Sequence, residues 1–140
     1  MIGLNEKLNT EQLDALACAC VFHDCGRSRE CWDPRHGKTS ADKYKAFCQK
    51  HEISFDERVY LAIYYHSLSD AAGNKAFTEN NLYGDLWIYT ILKDADALDR
   101  YRFDDLSALN KNYLRTNTAK DESMIGYARS ANQHGSARIS

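Results

Sequence analysis

His23 and Asp24 stand side by side at the end of an apolar run, residues 16–22. A carboxylate held there without a partner is expensive, so something must balance it, and a divalent cation is the natural candidate. Three more ligand-type residues follow: His36, His66 and Asp96. Each lies beside an expected helix end or on a helix able to reach the same centre. Imidazole nitrogen and carboxylate oxygen together suit Mn, Fe, Mg, Zn or Ni. One or two such ions would activate water and clamp a phosphate group. Taken alone, His23-Asp24 reads as a helix-terminal histidine beside a solvated aspartate; the later residues change the weighing.

The elements that must carry these groups read as helices. Thr10 is a candidate N-cap with Glu11 in the first turn, opening a helix to about Phe22. Asp24 to Gly37 is irregular, holding Gly26, Pro34 and Gly37. Thr39 or Ser40 caps a second helix through about Gln49. Ser54 to Glu57 has the capping-box spacing and predicts a third helix to about His66. Its Val59, Leu61, Ala62 and Ile63 point to burial on more than one side. Ser67 to Asn81 reads as a polar loop with Gly73, Tyr83 to Arg100 as a fourth helix, and Phe103 to Asn117 as short turns. Thr118 caps a last helix through about Ala131, and residues 132–140 read as a frayed tail. The expectation is one all-α domain over residues 1–140, a bundle of about five to six helices.

Bulk properties narrow the function classes. The chain has 140 residues, 44% of them hydrophobic, which suits one domain with a core. Its net charge of −2 argues against a duplex nucleic-acid partner, which selects a basic stripe. Nothing approaches the roughly 20 apolar residues of a membrane span, and the N-terminus lacks a secretory pattern. Five cysteines cannot all pair within the chain; reduced thiols and a cytoplasmic location fit best. A zinc cluster from Cys18, Cys20, Cys25 and Cys31 is disfavoured. Cys18 and Cys20 are two apart on a predicted helix and point to nearly opposite sides.

Four stretches in order resemble the HD-domain metal-dependent phosphohydrolase superfamily, and within it a small bacterial branch. They are Val21-Phe22-His23-Asp24-Cys25-Gly26-Arg27, Asp33-Pro34-Arg35-His36-Gly37, Ala62-Ile63-Tyr64-Tyr65-His66-Ser67 and Lys93-Asp94-Ala95-Asp96-Ala97-Leu98-Asp99-Arg100. The resemblance implies an HD-like helical bundle with His23, Asp24, His36, His66 and Asp96 as metal ligands. Asp94 and Asp99 compete with Asp96, and Asp99 suits a supporting role on the same face. His36 is otherwise a loop polar group, and His66 a helix C-terminal cation; His51 reads as solvated. Arg27 and Lys38 join Asp24 as the expected catalytic machinery, both contacting phosphate; ordinary surface charge is the competing reading. Trp32, Tyr64 and Tyr65 would border a base or sugar pocket or pack in the core.

The implied activity is metal-dependent phosphohydrolysis of a nucleotide or other small phosphate ester, with metal-activated water as nucleophile. The superfamily's usual additional histidine, ahead of the doublet, is absent from residues 1–22. Either the chain starts late, or the site is depleted, or His134 completes it, within one chain or by exchange in a homodimer. A depleted site would make the protein a ligand-binding or interaction module instead of an enzyme.

Overall fold

Side-chain caps set most of the helix starts in this chain. The computed structural model describes residues 1–28, 33–99 and 109–136, the last five by backbone. Among them the chain forms eight α-helices: α1 (Ile2–Asn5), α2 (Thr10–Phe22), α3 (His36–Lys50), α4 (Glu57–Tyr65), α5 (Asp70–Glu79), α6 (Leu86–Asp99), α7 (Asn117–Lys120) and α8 (Glu122–Ser136). The all-α expectation holds. The count exceeds five to six because α1 and α7 are single turns of four residues. No helix among the described residues is long and apolar enough to cross a membrane.

Asn9 caps α2 instead of Thr10. Its side chain accepts from the Gln12 N–H, and Gln12 returns the bond to the Asn9 N–H, so two orphan donors are satisfied together. Asp56, not Ser54, caps α4 by accepting from the Arg58 N–H at 2.9 Å. The helix expected from Thr39 or Ser40 starts earlier, at His36, after a turn in which Asp33 accepts from the Arg35 N–H. The last helix, α8, starts at Glu122 and not at Thr118, with Asp121 accepting from the Ser123 N–H at 2.8 Å, while Thr116 caps the separate turn α7.

The expected loop Ser67 to Asn81 is the main local misreading. Ser69 caps α5 by accepting from the Ala72 N–H, and Asp70 follows in the first turn, where a negative charge meets the helix dipole favourably. Gly73 is no breaker here. A Cβ on it would lie 2.3 Å from the Tyr89 ring, so glycine lets α5 close on α6.

Helix α4 runs through the middle, packing on α2, α3, α5 and α6. Its Val59, Leu61, Ala62 and Ile63 are all buried, as multi-sided packing requires. Ile63, Phe77 and Ile88 have no exposed surface, each worth about 1.5–3 kcal/mol of burial. Two further glycines bring backbones together around the site. A Cβ on Gly37 would sit 2.5 Å from the Tyr64 carbonyl oxygen, and one on Gly26 would sit 2.6 Å from the Ser40 nitrogen. The start of α3 therefore abuts the end of α4, and the loop after α2 lies on α3.

Candidate functional site

Three helix ends meet at one place, and each delivers a histidine. His23 is the C-cap of α2, His36 opens α3 and His66 is the C-cap of α4. Asp24 follows α2 and Asp96 projects from α6. In each histidine, Nδ1 meets the carbonyl oxygen three residues back: Cys20 at 2.7 Å, Asp33 at 2.5 Å and Ile63 at 2.6 Å. A carbonyl only accepts, so Nδ1 carries the proton and Nε2 presents a lone pair. Ligating histidines are oriented in this way by backbone carbonyls.

Those three lone pairs converge on two carboxylates. His36 Nε2 is 3.0 Å from His66 Nε2 and 3.3 Å from Asp24 Oδ1. His66 Nε2 is 3.8 Å from Asp24 Oδ1. His23 Nε2 lies 3.6 Å from Asp24 Oδ2 and 3.7 Å from Asp96 Oδ1. Asp24 Oδ1 is buried and has no hydrogen-bond donor among the described residues. Two buried imidazole acceptors facing each other beside an orphaned carboxylate oxygen need a positive species between them.

The electrostatics run the same way. A proton on the His66 Nε2 that faces it, helped by His23 and Arg27 and opposed by burial, would hold the Asp24 carboxyl well below the ordinary carboxylate range, so positive charge at this spot favours the ionised carboxylate. Burial works against a charged His23, but the Asp96 carboxylate, the Cys20 carbonyl and Asp24 outweigh it and raise its pKa. Donor atoms of His23, Asp24 and His66 all lie within 4.8 Å of one another. An octahedral ion with bonds of about 2.1 Å separates neighbouring donors by roughly 3.0 Å and opposite donors by roughly 4.2 Å. The observed separations of 3.0, 3.3, 3.6, 3.7 and 3.8 Å fall in that window. The three donors on His23, Asp24 and His66 are close enough together that they could share one divalent ion, with His36 and Asp96 beside that group.

Among the expected phosphate contacts, Arg27 Nη1 is 3.5 Å from Asp24 Oδ2 at the rim. Lys38 faces outward instead, 2.7 Å from Asp42 on the next turn of α3. His51 is exposed and packs on Phe47. Tyr64 and Tyr65 are half-buried against the core. Trp32, Cys31 and Arg100 lie outside the described residues, as does the side chain of His134. Cys18, Cys20 and Cys25 are free thiols, and the donor cluster contains none of them.

Asp94, the competitor to Asp96, has a different fate. It is fully buried and accepts from the Arg115 N–H at 2.9 Å, the Thr116 N–H at 2.7 Å, the Thr116 hydroxyl at 2.9 Å and Arg115 Nη1 at 3.3 Å. Arg115 continues to Asp70, which also receives Lys93 at 2.7 Å. Sequence reasoning missed this network, and it missed two serines that hold the site's loops. Ser40 Oγ accepts from the Gly26 N–H at 2.9 Å, and Ser67 Oγ donates to the Pro34 carbonyl at 3.0 Å. The available signal was a glycine placed across from each serine, marking close backbone approach.

A family model described as the SidE phosphodiesterase (PDE) domain matches residues 2–140. No curated protein and no solved structure matches the chain. The family match corrects the HD-domain resemblance. Four short histidine and aspartate motifs report which side chains gather at helix ends, and such a gathering is not specific to one ancestry. The histidine expected ahead of the doublet, and the vacancy offered to His134, came with that resemblance and go with it.

Proposed function

Because the chain belongs to the SidE phosphodiesterase domain family and is a phosphodiesterase-type hydrolase, we propose that the His/Asp cluster is its active site and works with a single divalent metal ion. The observation that carries this reading is the 3.0 Å contact between His36 Nε2 and His66 Nε2 beside the donorless Asp24 Oδ1. When bound, Mn, Fe, Mg, Zn or Ni would polarise the phosphoryl oxygens and make water a competent nucleophile near neutral pH.

The chain's own groups do the rest. His23, His36 and His66 would hold the ion through Nε2, each ring locked by its Nδ1–H···O=C bond. Asp24 and Asp96 supply the negative charge that offsets a divalent cation. Arg27 is half-exposed at the rim and offers a guanidinium to the nonbridging phosphate oxygens. Lys38 contributes only if it leaves Asp42. Water adds to phosphorus, one P–O ester bond breaks, and the departing alkoxide is protonated, giving a phosphomonoester and an alcohol. The substrate is a small phosphodiester; the nucleotide expected from the HD-domain resemblance is one member of that class.

One observation favours a second reading. A separation of 3.0 Å is also the length of an N–H···N hydrogen bond, so one proton shared by His36 and His66 would satisfy the pair. The cluster would then act as a metal-free acid–base couple. Hydrolysis of bis(p-nitrophenyl) phosphate before and after chelation separates the two. Activity lost to EDTA and restored by one equivalent of Mn²⁺ supports the metal reading, whereas undiminished activity in EDTA supports the acid–base couple. Absence of turnover in both states would leave the binding module expected as the alternative.

A further inference from the structure

The turn after α4 brings His66 into the cluster, and it is tied on both sides to elements that carry other cluster residues. On one side Ser67 Oγ donates to the Pro34 carbonyl at 3.0 Å, two residues before His36 opens α3. On the other side α6 grips three successive residues. Lys93 Nζ donates to the Leu68 carbonyl at 2.6 Å and to Asp70 Oδ1 at 2.7 Å, and the Tyr89 hydroxyl donates to the Ser69 carbonyl at 3.2 Å. Lys93 Nζ also donates to that hydroxyl at 3.1 Å.

An ammonium has three N–H donors, and Lys93 spends all three on these partners. Its side chain is only 10% exposed. It therefore offers nothing to a phosphate oxygen and can act only through what it holds. Its charge is balanced by Asp70, which also takes Arg115 at 2.8 Å, and Arg115 reaches Asp94 at 3.3 Å. Two cations and two carboxylates close this network. Charge balance alone would need no more than the bond to Asp70. The 2.6 Å bond to the Leu68 carbonyl carries the network on to the backbone two residues from His66, and charge-assisted bonds are roughly twice as strong as neutral ones. Asp96 lies three residues beyond Lys93 along α6, on the same face.

We propose that Lys93 is a positioning residue that fixes the register between His66 at the end of α4 and Asp96 on α6; its bearing on the reaction rests on the hydrolase reading of the cluster. By holding the Leu68 carbonyl it keeps the His66 ring with Nδ1–H on the Ile63 carbonyl at 2.6 Å and Nε2 on His36. Loss of such an outer partner lowers metal affinity or activity about 10–100-fold.

Ring ¹H–¹⁵N NMR of the metal-free protein tests this without turnover. Lys93→Met should speed solvent exchange of the His66 Nδ1–H at least about tenfold, with His23 changed less than about twofold. Lys93→Gln, uncharged and one bond shorter, should do the same and serves where the first variant melts early. Arg58→Met, at the opposite end of α4, breaks the ion pairs to Glu11, Asp56 and Asp85 and should leave the His66 exchange unchanged. With bis(p-nitrophenyl) phosphate, the Lys93 variants should lower kcat about 10–100-fold while KM stays within about twofold, since Lys93 touches no substrate. An unaltered His66 signal in the Lys93 variants, equal acceleration in Arg58→Met, or an undiminished kcat overturns the proposal. If the wild type shows no turnover, the hydrolase reading fails, and the exchange comparison alone decides whether Lys93 holds His66.

Discussion

Two aspartates on α6, two residues apart, live in opposite electrostatic worlds. Asp94 is sealed from solvent and saturated with donors from Arg115 and Thr116. Asp96 faces an imidazole, and beyond it Asp24 keeps a buried oxygen with no donor among the described residues. A buried carboxylate ringed by N–H and O–H groups is complete and holds the fold together. The Asp24 oxygen meets imidazoles instead, and in the reading proposed above a cation would complete it. The same residue type, separated by about 200° around one helix, thus ties the fold together on one face and meets the histidine cluster on the other.

The largest effect that sharpens this contrast comes from Asp24→Ala. Turnover of bis(p-nitrophenyl) phosphate should fall about 10³-fold, while the stability of the metal-free protein stays within about 0.5 kcal/mol in a urea melt. Asp94→Ala should do the reverse. Leaving the Arg115 and Thr116 N–H groups without their acceptor costs about 1–3 kcal/mol each in the same melt, while the Arg115 guanidinium keeps Asp70, with metal stoichiometry retained in whatever fraction folds. A comparable stability loss in both variants would erase the distinction.

A smaller effect comes from Gly37→Ala. Its Cβ would press on the Tyr64 carbonyl oxygen at 2.5 Å, forcing α3 from α4 at a cost of about 1–3 kcal/mol and separating His36 from His66. Weaker Mn²⁺ binding should accompany the lower Tm; an unshifted affinity would show that the helix junction does not set the site.

Two pH experiments separate the regions further. His23 titrates above its ordinary 6.5, and a protonated imidazole cannot ligate. The stabilisation by Mn²⁺, about 2.7 kcal/mol at 100-fold excess over Kd, should be full above that pKa and fade progressively below it. Asp70 behaves oppositely. Arg115 and then Lys93 outweigh burial and lower its pKa from 3.8 to about 2. A depressed carboxylate stabilises above its unfolded pKa, so this contribution is present above pH 3.8 and lost as pH falls toward 2. With the side chain 48% exposed, the gap between wild type and Asp70→Asn should stay under about 1 kcal/mol and close below pH 3.

Much of the candidate cluster was legible because helix ends announce themselves. His23, His36 and His66 each lie at a boundary, marked by a break in hydrophobic periodicity or by glycine and proline. The choice between Asp94 and Asp96 was harder, since alanines flank both and periodicity does not assign a face. The Asp94 partners lie 21 and 22 residues away, beyond any local signal. Helix α5 was hidden because Gly73 reads as a breaker until Tyr89 is seen against it. Family assignment misled for a related reason: short ligand motifs report which atoms gather, and several ancestries gather the same ones.

The most direct test is an anomalous-difference map from a crystal soaked in Mn²⁺. The account predicts one peak, within bonding distance of Nε2 of His23, His36 and His66 and of the Asp24 and Asp96 carboxylates. No peak there at saturating Mn²⁺, or a peak elsewhere with the His36–His66 contact still at hydrogen-bond length, would contradict it.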